Sequence, residues 1–197
     1  MTELLESILE AKSRDDYTDP ALGYVFMMNN LRYIGQEACK WRSIVDERND
    51  NWFRQTATTV GQNCKLYQRS SWNKMLHILM LEGKESVVPP NVVAESMKDK
   101  LNLFNLMFVE ICAAQSTWIV SDKQLREQII KSIDSILLPV YGKFTDRFRD
   151  VFGKHAYEYI EFGIVDIQNF LSNLFLLSEQ RNPIQEAKER ASMFAWI

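Results

Sequence analysis

Residues 100–129 read KLNLFNLMFVEICAAQSTWIVSDKQLREQI and show the helical character of the chain most clearly. In the first half, apolar side chains such as Phe104 and Phe108 recur every three or four residues, which is the spacing of one buried helix face. The spacing stops in QSTWIVS. Ser121 and Gln124 then have the spacing of a capping box, which opens a second helix. The stretch therefore predicts two helices separated by a short break.

The same spacing continues on both sides of this stretch. It predicts further helices over residues 2–12, 20–46, 50–83, 164–175 and 183–197 and one that starts from Asn91, and it continues the helix opened at Ser121 as far as Phe148. Asp19 before Pro20 marks a helix start, because proline at the first helical position lacks only an N–H that would be unpaired there. Pro139 predicts a kink or a split. No long segment alternates with a period of two, so we predict an all-α fold.

The composition is that of an ordinary globular protein. Of the 197 residues, 46% are hydrophobic and 25% are charged, which excludes a disordered or collagen-like chain. The net charge of −3 argues against a general nucleic-acid-binding surface. Residues 32–74 are locally basic and contain Trp41 and Trp72, but both rings fall on apolar helix faces. We therefore favour core packing for them and expect no nucleic-acid partner.

Residues that could support catalysis do not form a recognisable motif. The two histidines, His77 and His155, have no acidic or histidine neighbour at metal-ligand spacing. The sequence contains no nucleophile elbow, phosphate loop or dinucleotide fingerprint. Glu110 and Asp122 could be imagined as an acid/base pair, but carboxylates so far apart in sequence are more often solvated caps and faces. We expect no enzyme, no cofactor and no metal site.

The sequence also indicates a cytoplasmic protein. Its N-terminus, MTELLESILEAK, is acidic and amphipathic rather than a signal peptide. No apolar run approaches the roughly 20 residues that span a bilayer. Cys39, Cys64 and Cys112 are odd in number and form no C-x-x-C, so buried free thiols are the simplest expectation.

Several segments, taken in order, carry a resemblance to a known family. They are ALGYVFMMNNLRYI (21–34), NWFRQ and YQRSSWNKML within 51–76, the stretch 100–129, ILLPVYGKFTDRF (136–148) and AYEYIEFGIVDIQNFLSNLF (156–175). Together they resemble the C-terminal part of the seventy-kilodalton subunit of the exocyst, in its plant branch. No single segment is diagnostic, but five in register make the resemblance specific. The Q-S-x-W-x-V-x-D-x-Q-L-R pattern is the most telling of them.

The resemblance implies long antiparallel helices in stacked bundles, at the end of an exocyst-type rod. It divides the chain into a short helix or extension over 1–18, an exocyst-subunit-like bundle over 19–177 and a divergent helical tail over 178–197. It also implies a non-enzymatic role in tethering secretory vesicles during exocytosis. The implied partners are other exocyst subunits, and the implied location is the cytoplasm and the periphery of the plasma membrane.

The resemblance further implies a lipid site, because the family's last bundle binds phosphatidylinositol 4,5-bisphosphate through Lys and Arg around a P-E-[KR]-Y-I-K-Y-type segment. Here the segment reads AYEYIEF, with Glu158 and Glu161 at the two cationic positions, and only Lys154 just upstream keeps its charge. Losing two contacts of about 1 kcal/mol each would weaken docking roughly 30-fold. The residues expected to retain lipid contact are Lys143, Arg147, Arg149 and Lys154.

A different class of function competes with this one. The plant branch is much duplicated, and copies of it act in immunity as targets or baits of pathogen effectors. Glutamates in the lipid site fit such a diverged protein-interaction module without lipid binding. The family's N-terminal rod is absent from residues 1–197, so the chain is either part of a longer protein or a short paralogue. Phe194 and Trp196 in the tail either pack on the bundle or form an interaction patch.

Overall fold

The computed structural model describes residues 2–40, 50–80 and 89–176. Within these ranges the chain is helical and contains no strand, so the predicted all-α class is confirmed. The elements are α1 (Thr2–Asp16), α2 (Pro20–Lys40), α3 (Asp50–Ser71), α4 (Asn73–Leu79), α5 (Pro90–Gln115), α6 (Lys123–Phe152), a 3-10 helix (Gly153–Glu158) and α7 (Ile164–Ser172). The predicted helix over 183–197 and the tail 178–197 lie outside the described residues.

The helices belong to two compact units. Unit 1 comprises Met1–Trp72 and Val120–Ile129, and unit 2 comprises Asn73–Ile119 and Ile130–Ile197. In unit 1, α2 packs against both α1 and α3. The apolar cluster in this unit consists of Leu9, Met27 and Leu31, with Phe26, Ile34 and Val60 packed against it. The predicted division of the chain at residues 18 and 177 stays a prediction.

The start of α2 is formed as the sequence predicts. Asp19 Oδ1 accepts a 2.8 Å hydrogen bond from the Ala21 N–H, which satisfies one of the unpaired donors of the first turn. Gly23 follows in a narrow space, because a Cβ there would lie 2.8 Å from Ser13 Oγ on α1. The glycine thus permits α1 and α2 to approach closely.

A single helix over 50–83 was expected from the apolar spacing, and this prediction is wrong. The helix ends at Ser71 and a new one begins at Asn73. Trp72, between them, is fully buried, and its indole N–H donates to Tyr67 Oη at 3.0 Å. Trp72 is the last residue of this part of unit 1, whereas Met75 is buried in unit 2. The apolar spacing continues without a break because it runs from buried residues of unit 1 into buried residues of unit 2.

The start of α5 also differs from the prediction, which placed Asn91 at the cap. Pro89 is the N-cap residue, and its carbonyl accepts from the N–H groups of Val92 and Val93 at 3.0 and 3.2 Å. Pro90 occupies the first helical position, where a missing N–H costs nothing. The helix therefore begins two residues earlier than predicted and has no side-chain cap.

The capping residue of α6 is Asp122 rather than Ser121. Asp122 Oδ1 accepts from the Leu125 N–H at 2.7 Å, and Arg32 Nε lies 3.4 Å from the same oxygen. Partial burial opposes ionisation of Asp122. The hydrogen bonds from Leu125 and Gln36 and the charge of Arg32 outweigh that effect, so the pKa of Asp122 lies below its ordinary value. Asp122 is thus a helix cap and an ion-pair partner. This agrees with the expectation that Asp122 is a cap and not part of an acid/base pair.

The remainder of α6 tests the expectation for Pro139. The helix continues through Pro139 without a split.

The cysteines test a further expectation. Cys112 is buried as expected, and its burial raises the pKa of the thiol. Cys39 is exposed and Cys64 is half-buried, so the expectation of buried thiols is wrong for these two. Cys39 lies in the last turn of α2.

Replacing Asp122 tests the anchoring of α6. We expect Asp122→Ala to lower the free energy of unfolding by about 1 kcal/mol, the usual cost of losing a helix cap. Because the folded-state pKa of Asp122 is depressed, its contribution is present above the ordinary aspartate pKa and is lost as the pH falls through the folded value. Urea unfolding of wild type and variant at pH 7 and at pH 3 checks this. An equal difference at both pH values contradicts the assignment.

Candidate functional site

The C-terminal part of α6 and the 3-10 helix carry the four predicted lipid-contact residues. Lys143, Arg147 and Arg149 lie on α6, Lys154 lies on the 3-10 helix, and all four are exposed. Arg149 Nη1 donates to Asp146 Oδ1 at 2.8 Å, an exposed pair that neutralises part of the positive charge. All four lie on one continuous segment of the chain, residues 143–154.

The chain changes direction at Gly153, whose φ of 55° favours glycine. In the 3-10 helix that follows, Ala156 is buried and Tyr157 is 76% exposed. Glu158, one of the two glutamates at positions where the resemblance implies cations, has its own partner. Its Oε1 lies 2.8 Å from His155 Nδ1.

Aromatic rings hold this segment against the bundle. Phe148 of α6 stacks on Phe152 with ring centroids 4.3 Å apart, and Tyr159 packs on both. Lys98 of α5 places its ammonium group 4.6 Å from the centre of the Tyr159 ring. The hydrogen bond between Lys98 and Tyr159 raises the pKa of Lys98. This contact connects α5 to the segment that follows α6.

Tyr141 of α6 connects the same segment to the core. Its ring is buried, and its hydroxyl donates to the Phe162 carbonyl at 2.6 Å. Burial is the main cause that raises the pKa of Tyr141, while the positive charge of Arg149 lowers it and the carboxylates of Glu161 and Asp166 raise it. Arg149, Glu161 and Asp166 therefore lie within electrostatic range of one phenol group.

Glu161, the second position at which the resemblance implies a cation, is exposed. Asn105 of α5, which is only 8% exposed, lies close enough to affect its carboxyl group. Desolvation raises the pKa of Glu161, and the interaction with Asn105 opposes that shift. The charge at this position is thus coupled to the packing of α5.

Five of the predicted positions lie within residues 147–161, and the structure shows a partner for Arg149 and for Glu158. Sequence reasoning identified the cations and the two glutamates but missed Asn105 and Lys98, which contact the segment from α5. The one signal for Asn105 was a polar residue directly after Phe104 on the buried face of α5. The sequence alone offers no signal for Lys98, because its partner ring lies more than fifty residues away.

Unit 1 contains a separate polar groove of about 430 Å³. It is lined by residues of α2 and of the start of α6, among them Tyr33, Gln36 and Lys123. The groove contains the Arg32–Asp122 ion pair, whose charges already compensate each other. Asp122 is the one carboxylate among its described lining residues, so they offer no acid/base pair.

Neither a metal site nor a membrane span is found in the described part of the chain. No group of three or more His, Cys, Asp or Glu side chains there could hold a metal ion. No helix in the same residues is long and apolar enough to cross a membrane.

Comparison with known proteins identifies the class to which this helical chain belongs. Residues 1–173 match the family model for the C-terminal region of Exo70, a subunit of the exocyst complex, so the chain belongs to this family. The resemblance inferred from the sequence segments is thereby confirmed. The expectation that the chain is not an enzyme is also confirmed, because the family consists of exocyst complex subunits.

Curated relatives from a plant and from human support this membership. The chain is 45% identical to "Exocyst complex component EXO70B1" of Arabidopsis thaliana over 175 residues, which cover 88% of this chain and 27% of the relative. It is 38% identical to "Exocyst complex component EXO70C1" of Arabidopsis thaliana over 190 residues, which cover 95% of this chain and 28% of the relative. "Exocyst complex component 7" of Homo sapiens is 28% identical over 167 residues, or 81% of this chain and 22% of the relative. The chain thus spans about a quarter of the length of these relatives.

Replacing Tyr141 tests how the segment after α6 is held. We expect Tyr141→Phe to lower the free energy of unfolding by about 1–2 kcal/mol, because the Phe162 carbonyl loses its donor in a buried position. Urea unfolding at pH 7 measures this. Because the folded-state pKa is raised, the wild type should also lose stability as the pH rises above about 10, and the variant should lose less.

Tyr157→Phe is the matched control. Because Tyr157 is 76% exposed, this substitution should leave the free energy of unfolding unchanged. Equal effects of the two substitutions would show that the Tyr141 hydroxyl does not anchor the segment.

Proposed function

We propose that this chain is an exocyst-subunit module that contributes to vesicle tethering in exocytosis through a weakened contact with anionic membrane lipids. The observation that carries the proposal is the exposure of Lys143, Arg147, Arg149 and Lys154 on one segment of a chain that belongs to the Exo70 family. Such side chains each contribute about 1 kcal/mol near an anionic leaflet, and several act together. Phosphatidylinositol 4,5-bisphosphate is the lipid we propose.

Two features support a weakened rather than a full contact. Glu158 and Glu161 add negative charge to the same segment, and Asp146 neutralises part of the charge of Arg149. Glu158 is paired with His155, which offsets that carboxylate only when it is protonated. Over residues 143–161, four Lys and Arg side chains are balanced by four Asp and Glu side chains, so the segment carries no net positive charge unless His155 is protonated. Attraction to an anionic surface therefore depends on the local placement of the cations and not on the net charge of the segment.

The proposed partners and location follow from the family. We propose that the chain assembles with other exocyst subunits, in the cytoplasm and at the inner face of the plasma membrane. The proposed domain division, with a bundle over 19–177 and a tail over 178–197, belongs to the same proposal. Because relatives are about four times longer, further contacts with exocyst subunits would involve parts outside these 197 residues.

A second candidate function is a protein-interaction module without lipid binding, as in a diverged copy that serves plant immunity as an effector target or bait. It is favoured by the two glutamates and by exposed apolar side chains beside them. Tyr157 is 76% exposed and Val165 is 66% exposed. These side chains could contact a protein partner without any need for net positive charge.

Vesicle co-sedimentation at physiological salt separates the two functions. We expect the wild type to bind vesicles that contain phosphatidylinositol 4,5-bisphosphate weakly, and to ignore neutral vesicles. Glu158→Lys/Glu161→Lys should bind at least roughly 30-fold more tightly, because two contacts of about 1 kcal/mol each are restored and two repulsions removed. Arg149→Glu/Lys154→Glu should abolish what the wild type binds.

The outcomes are distinct. Binding that survives Arg149→Glu/Lys154→Glu would overturn the assignment of the contact to this segment. No binding by the wild type, with binding restored by the two lysines, would favour the protein-interaction function. Lys12→Glu/Lys123→Glu reverses the charge of two exposed lysines outside the segment and serves as the matched control.

A further inference from the structure

One side of α5 carries a row of exposed apolar and acidic side chains. Val92, Leu103 and Leu106 are 51%, 47% and 60% exposed, and intervals of eleven and three residues place them on one side of the helix. Asp99 and Glu110, also exposed, lie in the same row, one before and one after the two leucines. We call these five residues the outer α5 face. Its centre is apolar, and a carboxylate lies on either side of that centre.

Other sides of α5 are engaged within unit 2. Phe104 stacks on Tyr141 of α6 with ring centroids 4.8 Å apart, and Phe108 contacts Phe170 of α7 at 5.4 Å. Lys100 Nζ donates to the Met80 carbonyl at 3.1 Å, one residue after α4. Helix α5 is thus held by α4, α6 and α7, while the outer α5 face stays accessible.

The sequence of residues 183–197 complements this face. In the predicted helix over these residues, apolar side chains recur every three or four positions: Ile184, Ala187, Ala191 and Phe194. At about 100° per residue, Lys188 and Arg190 fall at the two edges of that apolar stripe, and Glu189 falls opposite it. The stripe is therefore bordered by cations, whereas the outer α5 face contains carboxylates.

The end of α7 places the start of this tail within reach. The Phe175 N–H donates to the carbonyl of Gln115, the last residue of α5, at 3.2 Å, and the left-handed φ of 63° at Phe175 turns the chain there. Residues 177–182 can span up to about 20 Å, which exceeds the about 10–12 Å diameter of a helix. A helix over 183–197 is about 22 Å long and would cover the about 17 Å from Glu110 back to Asp99.

We propose that residues 183–197 dock as a helix, antiparallel, on the outer α5 face of the same chain. Ala191 and Phe194 cover Leu103 and Leu106, and the two cations of the tail lie near Asp99 and Glu110. The tail thus packs on unit 2 and does not present its aromatic residues as a separate interaction patch. This inference is independent of the proposed membrane contact, because residues 143–161 take no part in it.

Two physical terms favour this contact. Burial of Phe194 against the two leucines removes apolar surface from water, which is the driving term. The charges fix the position and direction of the tail more than they add affinity. Because a short linker gives a tethered segment an effective concentration in the millimolar range, even a weak contact keeps the tail docked.

Hydrogen–deuterium exchange of residues 184–197 in the full chain tests the docking. An isolated helix of about 15 residues is marginal in water, so an undocked tail should exchange almost without protection. We expect the wild-type tail to exchange at least roughly tenfold more slowly than the tail of Leu106→Lys, as a contact populated ten to one would give. Equal rates in these two proteins would overturn the proposal.

Leu4→Lys is the matched control, because Leu4 of α1 is 65% exposed and lies in unit 1. Its tail should exchange at the wild-type rate. The amides of α2, measured in the same experiment, report whether each variant is folded. A tail that Leu4→Lys releases as strongly as Leu106→Lys would show that the effect is not specific to the outer α5 face, which overturns the proposal.

Charge reversal identifies the two partners. Asp99→Lys/Glu110→Lys and Lys188→Glu/Arg190→Glu should each speed exchange of the tail, and the two pairs combined should slow it again, because opposite charges face each other once more. A combined variant that exchanges no more slowly than either pair alone would place the tail elsewhere and overturn the proposal. Protection that disappears on hundredfold dilution would assign the tail to a second copy of the chain and overturn it as well.

Discussion

The hydrogen bond from the Tyr141 hydroxyl to the Phe162 carbonyl is the constraint on which the arrangement of the candidate site depends. A phenol at the buried centre of a helical unit must find an acceptor, and the acceptor that it finds lies in the segment that returns from the end of α6. This bond and the packing of Phe108 against Phe162 fix where the segment crosses the bundle. The position of Glu161, one residue before Phe162, follows from it.

Packing and surface charge play separate roles in this segment. The rings of Phe148, Phe152 and Tyr159 bury large apolar areas and hold the segment in place. The exposed ion pairs, such as that between Arg149 and Asp146, add little to stability. A chain can therefore keep this packing while the charged residues on its surface change. Because packing and surface charge are separate, the ligand, or the conditions under which it binds, can change without a change in the packing.

Local signals in the sequence predicted much of the fold. The spacing of apolar residues predicted the helices, and Asp19 predicted the start of α2, because a cap acts within three residues of itself. The errors arose where the same local signal fits two structures. Ser121 and Asp122 are both good capping residues. Asp122 is the cap in the structure, and Arg32 and Gln36, which are far away in sequence, also bind its carboxylate. The break at Trp72 was missed because the apolar spacing continues from one core into the next.

The sequence by itself determined the helical class, the family and the identity of the charged residues in the candidate site, because each of these depends on residue types at short spacing. Tertiary structure alone decided what those charges contact. The distance from Asn105 to Glu161 along the chain is 56 residues, and only folding places an amide beside that carboxylate. Desolvation and hydrogen bonding act over a few ångströms in space, so the charge state of Glu161 is a property of the folded unit rather than of the segment that contains it.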